Sequence, residues 1–174
     1  NAAGYTGEYD MASHGITVTA TDAAIKYRAT DSGAYGLTET PKYKDANTYT
    51  VYFEITREGY TPVTGSQQIV ITKKAAKVET GSASKIYNGS ALTNSTVTLS
   101  GIIADDAVTA TATGSQTQVG NSDNTVTIGG TSAGNYDFSA GTTLGTLTVT
   151  EGTIEYNAAG YTGEYDMASH GITV

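Results

Sequence analysis

The block NAAGYTGEYDMASHGITV occurs twice without a single change, as Asn1–Val18 and as Asn157–Val174, at a spacing of 156 residues. Identity that extends to surface-type positions marks a recent duplication in an array whose copies are kept alike. Such a chain is expected to be built of repeated units that contact mainly their neighbours.

A fainter repeat lies inside the first. Tyr9-Asp10, Tyr87-Asn88 and Tyr165-Asp166 follow one another at 78 residues, and Ile69–Thr72 answers Leu147–Thr150 at the same interval. Between these anchors the match loosens: Gly59-Tyr60 answers Asn135-Tyr136 at 76, and Thr50-Val51 answers Thr125-Val126 at 75. The long period is therefore expected to hold two diverged modules, residues 1–74 and 75–152, with residues 153–174 beginning a third.

The local pattern is that of strands and turns. Tyr49, Val51, Phe53 and Ile55 alternate with Thr50, Tyr52, Glu54 and Thr56, the period of a strand with two unlike faces. Residues 15–20, 25–29 and 68–72 read as strands in the first module; 95–99, 107–113, 125–128 and 145–150 do so in the second. Asp31-Ser-Gly, Tyr87-Asn-Gly-Ser and Gly129-Gly130 supply turns. Thirteen Tyr, two Phe and no Trp suit half-wet sheets, where a ring packs while its hydroxyl stays solvated. The expectation is an all-β fold: two tandem small β-modules, Ig-like sandwich or β-grasp-like, elongated, with little or no helix.

Formal net charge is −8, which disfavours nucleic acid as a partner, because phosphate binding wants clustered Lys and Arg. The absence of Cys excludes disulfides, thiolate metal sites and Cys nucleophiles. No apolar run is long enough for a membrane-spanning helix. Any export signal or anchor is expected to lie outside this stretch.

Lys85-Ile-Tyr-Asn-Gly-Ser, Leu99-Ser-Gly-Ile-Ile-Ala-Asp-Asp-Ala-Val, Val119-Gly-Asn, Ala133-Gly-Asn-Tyr and Gly145-Thr-Leu-Thr-Val-Thr follow in order through the second module. This series resembles the YDG-type module of large bacterial surface adhesins, with Asn88 where many members have Asp. The first module, through Gly7-Glu-Tyr-Asp, His14-Gly-Ile-Thr-Val, Asp45-Ala-Asn-Thr-Tyr-Thr-Val-Tyr and Gly59-Tyr, resembles a companion repeat of Gram-positive cell-wall proteins. It departs from that repeat at Met11, where Gly is usual, which leaves the local turn type open. The resemblances imply an extracellular protein of the bacterial cell surface, a stalk or adhesin repeat and not an enzyme.

The residues themselves offer few catalytic groupings. His14 and His170 are one repeat position seen twice, and a triad needs a base with a nucleophile and an orienting group. Asp105 and Asp106 are adjacent; on a strand they would point to opposite faces, and in a loop they would form a turn. Together with Asn121–Asn124 they supply hard oxygen ligands, but their spacing matches no EF-hand loop. Lys26, Lys42, Lys44 and Lys85 carry no signature of a cross-linked Lys–Asn pair. No catalytic, cofactor or metal site is expected. Asn88-Gly-Ser and Asn94-Ser-Thr fit the glycosylation sequon, which matters only in a secretory host.

The expected function is mechanical: a structural repeat unit of a bacterial extracellular stalk or fibre, with neighbouring copies as partners. A competing expectation is an adhesin module that binds host glycan or protein through a repeated surface. The first module begins at the equivalent of Asn157 and so lacks the opening strand represented by Thr153, Ile154, Glu155 and Tyr156. Those residues are expected either to lie in a continuous fibre or to pair as a donor strand with the open edge of another chain.

Overall fold

The strand with the clearest alternation is also the longest. β5 (Asn47–Thr56) turns Val51 and Phe53 into the core, and pairs antiparallel along its length with β6 (Val63–Thr72). The computed structural model describes residues 1–174 and is all-β; its one helical feature is a 3₁₀ turn at Ala133–Asn135. The remaining N-terminal strands are β1 (Ala2–Ala3), β2 (Tyr5–Glu8), β3 (Thr17–Val18) and β4 (Ala24–Arg28). They form a four-stranded sheet in the order β2-β6-β5-β4 and a short β1-β3 pair.

The C-terminal half is cut into shorter pieces: β7 (Lys74–Ala75), β8 (Lys77–Thr80), β9 (Ala83–Ile86), β10 (Val97–Ser100), β11 (Thr109–Ala112), β12 (Gly120–Asn124), β13 (Val126–Gly129), β14 (Tyr136–Asp137), β15 (Thr142–Thr143) and β16 (Gly145–Thr150). Their sheets are β12-β16-β9, β10-β8-β15, β11-β13 and β14-β7. No ladder joins a strand of β1–β6 to a strand of β7–β16. No helix is long and apolar enough to cross a membrane.

The registers of the two halves carry the 78-residue repeat. β2 runs parallel to β6 with Tyr5 opposite Ile69 and Glu8 opposite Thr72; β9 runs parallel to β16 with Ala83 opposite Leu147 and Ile86 opposite Thr150. Each of these four pairs moves by 78. The bond that follows the ladder moves with it, Tyr9 N–H to Thr72 O and Tyr87 N–H to Thr150 O. In the middle of the halves the ladders revise the sequence match. Val51 faces Gln67 while Asn124 faces Gly145, so Asn124 holds the place of Val51, two residues before the Val126 matched by sequence. A slip of two keeps the same face inward, which is why alternation alone could not detect it.

Asn124 is fully buried at that place. Its Nδ2 donates to the carbonyls of Gly81 and Asn94, and its own carbonyl accepts from Thr80 Oγ1 at 2.6 Å. A polar knot thus replaces aliphatic packing in the C-terminal half, which has Val78, Leu147 and Val149 as its own buried residues. The larger core gathers Tyr9, Ile16, Val18, Tyr27, Val51, Phe53, Ile69 and Ile71, and it extends across the boundary to Ala76 and Tyr136.

The opening ladders of the two halves differ in length. β8 pairs with β10 over four residues, from Thr80 opposite Val97 to Lys77 opposite Ser100. β1 supplies only Ala2 and Ala3 against Val18 and Thr17, extended by Asn1, which exchanges two backbone bonds with Thr19. Beyond Asn1 lies a groove of about 470 Å³ lined by Asn1, Thr19, Ala20, Thr21 and Ile55. Residues 151–158 carry no strand, and Ile154 and Tyr156 are exposed.

Candidate functional site

Tyr9 leaves the end of β2, and a local turn fixes its direction. Asp10 Oδ1 accepts the N–H of Ala12 at 2.8 Å, while Met11 takes a left-handed φ of 66°. The same Asx turn recurs at Asn88 to Ser90, with Gly89 at φ 75°, and at Asp166 to Ala168, with Met167 at φ 61°. Met11 therefore keeps the turn that glycine adopts without strain, which closes the question raised by its departure from the companion repeat.

The turn aims Tyr9 at the C-terminal half. Its hydroxyl donates to Asp106 Oδ1 at 3.0 Å, and Tyr136 donates to Asp106 Oδ2 at 2.5 Å. The two rings meet edge to face, 5.7 Å between centroids, and both are almost wholly buried. Tyr136 Oη also accepts the N–H of Ile103 at 3.0 Å, tying the loop that carries Asp106 to β14. Beside this group Asn135 grips the N-terminal half twice: its Oδ1 accepts from Ala46 N–H at 2.8 Å and its Nδ2 donates to Asp45 Oδ1 at 3.0 Å.

The electrostatics follow from that geometry. Burial and the bond to Asp106 push the Tyr9 hydroxyl up to about 12, and burial followed by the Asp106 bond raises Tyr136 as well. Burial alone would raise Asp106, but the hydrogen bonds from Tyr136 and Tyr9 outweigh it, with Lys44 adding its charge, so the carboxyl lies below its usual range. Two neutral phenols donating to one ionised carboxylate make a clamp across the boundary between the halves.

The residues singled out by sequence lie as follows. Asp105 is a turn former at φ 72°, whereas its neighbour Asp106 is the centre of the clamp. Asn121–Asn124 lie along β12, with Asn124 in the buried knot. His14 Nε2 meets Asp10 Oδ1 at 2.9 Å and its ring stacks on Tyr5 at 3.8 Å; His170, Asp166 and Tyr161 repeat both contacts at 2.7 and 3.5 Å. Lys26 lies on β4 and Lys44 near Asp106, while Lys85 donates to Asn88 Oδ1 at 2.8 Å and to Ser90. A polar groove of about 610 Å³ between β2, β5 and β6 is lined by one tyrosine, Tyr5, with Thr, Ser and Gln and no acid. Sequence anchors had marked Tyr9 and Tyr136 as repeat positions, but nothing in the sequence signalled that they meet over Asp106.

Every C-terminal member of the clamp, Asp106, Asn135 and Tyr136, falls in one matched stretch. Residues 72–144 match the family model of the YDG domain. The stretch similar to the YDG domain thus carries one side of the boundary, and Tyr9, Asp45 and Ala46 precede it. No curated protein matches the chain.

Proposed function

We propose that this chain is a structural repeat unit of a bacterial extracellular stalk or fibre. Residues 1–74 and 75–152 act as two tandem small β-modules of the Ig-like or β-grasp-like class, and residues 153–174 begin a third. The observation that carries the reading is the clamp: Tyr9 of one half and Tyr136 of the other are buried against each other over Asp106, so consecutive units are fastened rather than loosely strung. Fastened units in series give length and stiffness in proportion to copy number. Proteins displayed on a bacterial surface with increasing numbers of the 156-residue period should project farther with each added period when imaged by electron microscopy. Constant projection at every copy number would sink the reading.

The neighbouring copy is the partner, and Thr153, Ile154, Glu155 and Tyr156 are the segment that reaches it. Their positions 78 residues earlier include Ala76 and Val78, which are 5% and 1% exposed, whereas Ile154 and Tyr156 are 91% and 79% exposed. The groove beside Asn1, Thr19 and Thr21 lies where such a strand would continue β1. Pairing of this strand with the groove of another chain should make self-association rise with concentration in sedimentation velocity. Replacing Ile154 and Tyr156 together by Asp should abolish it, and association that survives both changes removes strand exchange.

A further inference from the structure

Outside residues 153–174, six large apolar side chains are exposed: Leu37, Tyr60, Val63, Ile86, Tyr87 and Val119. All but Leu37 lie at two ladder ends, one at the turn between β5 and β6 and one where β9, β12 and β16 meet. Tyr60 and Val63 flank the turn between β5 and β6, at the ladder end remote from Asn47, which neighbours the clamp. Ile86 ends β9 beside Gly152, where the chain leaves β16, and Tyr87 follows it. Val119 immediately precedes Gly120 at the same end of the β12–β16 ladder.

Each of these ends carries a tyrosine in a backbone setting like that of one clamp tyrosine. Tyr87 is placed as Tyr9 is: it follows a parallel four-residue ladder, bonds the closing strand through its N–H, and precedes an Asx turn. Tyr60 resembles Tyr136 in its local turn: both close an i to i+3 turn, Tyr60 N–H to Arg57 O and Tyr136 N–H to Ala133 O, Tyr60 ahead of β6 and Tyr136 at the start of β14, ahead of β15 and β16. Each half that supplies one of these tyrosines, Tyr136 or Tyr60, also carries an acid ahead of a strand. Asp106 follows the left-handed Asp105 (φ 72°) before β11, and Asp22, itself left-handed (φ 51°), comes before β4. Asp22 and Glu58 border one cleft with Arg57, whose guanidinium lies over the Tyr60 ring at 4.9 Å.

From this correspondence we infer that the free end at Tyr87 is a docking surface for the Tyr60 end of a second copy of the first module, the copy that residues 157–174 begin. Tyr87 takes the role of Tyr9 and Tyr60 the role of Tyr136. The inference rests on the repeat-array reading above. The tether supports it, because β8 starts five residues after Thr72 and its equivalent, Glu155, lies five residues after Thr150. The short β14-β7 pair, Tyr136 opposite Lys74, then predicts Tyr60 of the following copy opposite Gly152. The second junction is the less polar of the two. Gly59 stands where Asn135 grips Asp45 and Ala46, and Ile86 stands where Glu8 binds Lys74 at 2.7 Å.

The test extends the full chain past Val174 with residues 19–174 repeated, so that one such junction is internal and the outer ends stay free. Tyr87→Ala in the first period should lower the thermal midpoint by about 2 °C or more, while the same change in the last period leaves it in place. Tyr60→Ala should do the reverse, lowering the midpoint in the second period and not in the first. The two internal changes combined should be less than additive, as for residues in contact. Effects that do not depend on the period, or internal changes that are silent, overturn the inference. Because Tyr60 and Tyr87 are exposed in the single-period chain, neither change should impair its folding. The stalk reading stands or falls separately: the crossed pattern is read on purified protein, and projection from a cell is read by microscopy.

Discussion

Tyr9 and Tyr165 hold the same position in identical blocks, yet Tyr9 is 1% exposed and Tyr165 89%. Their immediate surroundings agree down to the Asx turn, the stacked His–Tyr pair and the left-handed Met. What distinguishes them is the ladder to β6 that precedes Tyr9 and the company of Asp106 and Tyr136. Tyr9→Phe keeps the ring and removes one of the two phenol donors to Asp106. It should destabilise the chain by about 1–2 kcal/mol in urea denaturation. The clamp also sets a pH window. Tyr9 is raised in the folded state, so its contribution is complete below its ordinary value of 10.0 and is lost as pH rises through about 12. Asp106 is lowered, so its contribution is present above the usual carboxylate range and is lost as pH falls through its folded value. Melting temperature followed against pH should therefore fall at both ends, and Tyr9→Phe should blunt the alkaline fall.

At the scale of elements, the recurring unit is a short parallel ladder that ends in a tyrosine and an Asx turn. Glycine serves the second of these turns: Gly89 sits at φ 75° with open space where a Cβ would go. Gly89→Ala should cost about 1 kcal/mol through backbone strain alone, whereas Gly134→Ala, with the same open space and no left-handed φ, should cost less; chemical denaturation distinguishes the two. The alternation of residues 49–55 announced β5, and the closing strands were legible from their Ile, Val and Leu. β2 and β9 were not, since Tyr-Thr-Gly-Glu and Ala-Ser-Lys-Ile are too short and too polar for a period to emerge. Asn124 was equally hidden. A buried amide in a strand looks like a surface residue until the ladder sets it opposite Gly145. Tyr9 and Tyr136 were visible as anchors, but their meeting over Asp106 depends on a loop whose path only the folded chain defines.

For the whole molecule, only 18 of 174 residues are buried, so neither half has a deep interior, and two of the ten residues of the principal buried cluster come from across the boundary. Those two are Ala76 and Tyr136, beyond the closing strand β6. The parallel ladders bear on how the chain would respond to force. In each half the chain enters near one parallel strand and leaves along its partner, β2 beside β6 and then β9 beside β16. Tension applied to the two ends pulls the members of each pair in opposite directions along their shared axis. The ladder is thus loaded in shear, with its hydrogen bonds strained together, rather than peeled apart one at a time as in a hairpin pulled open from its ends.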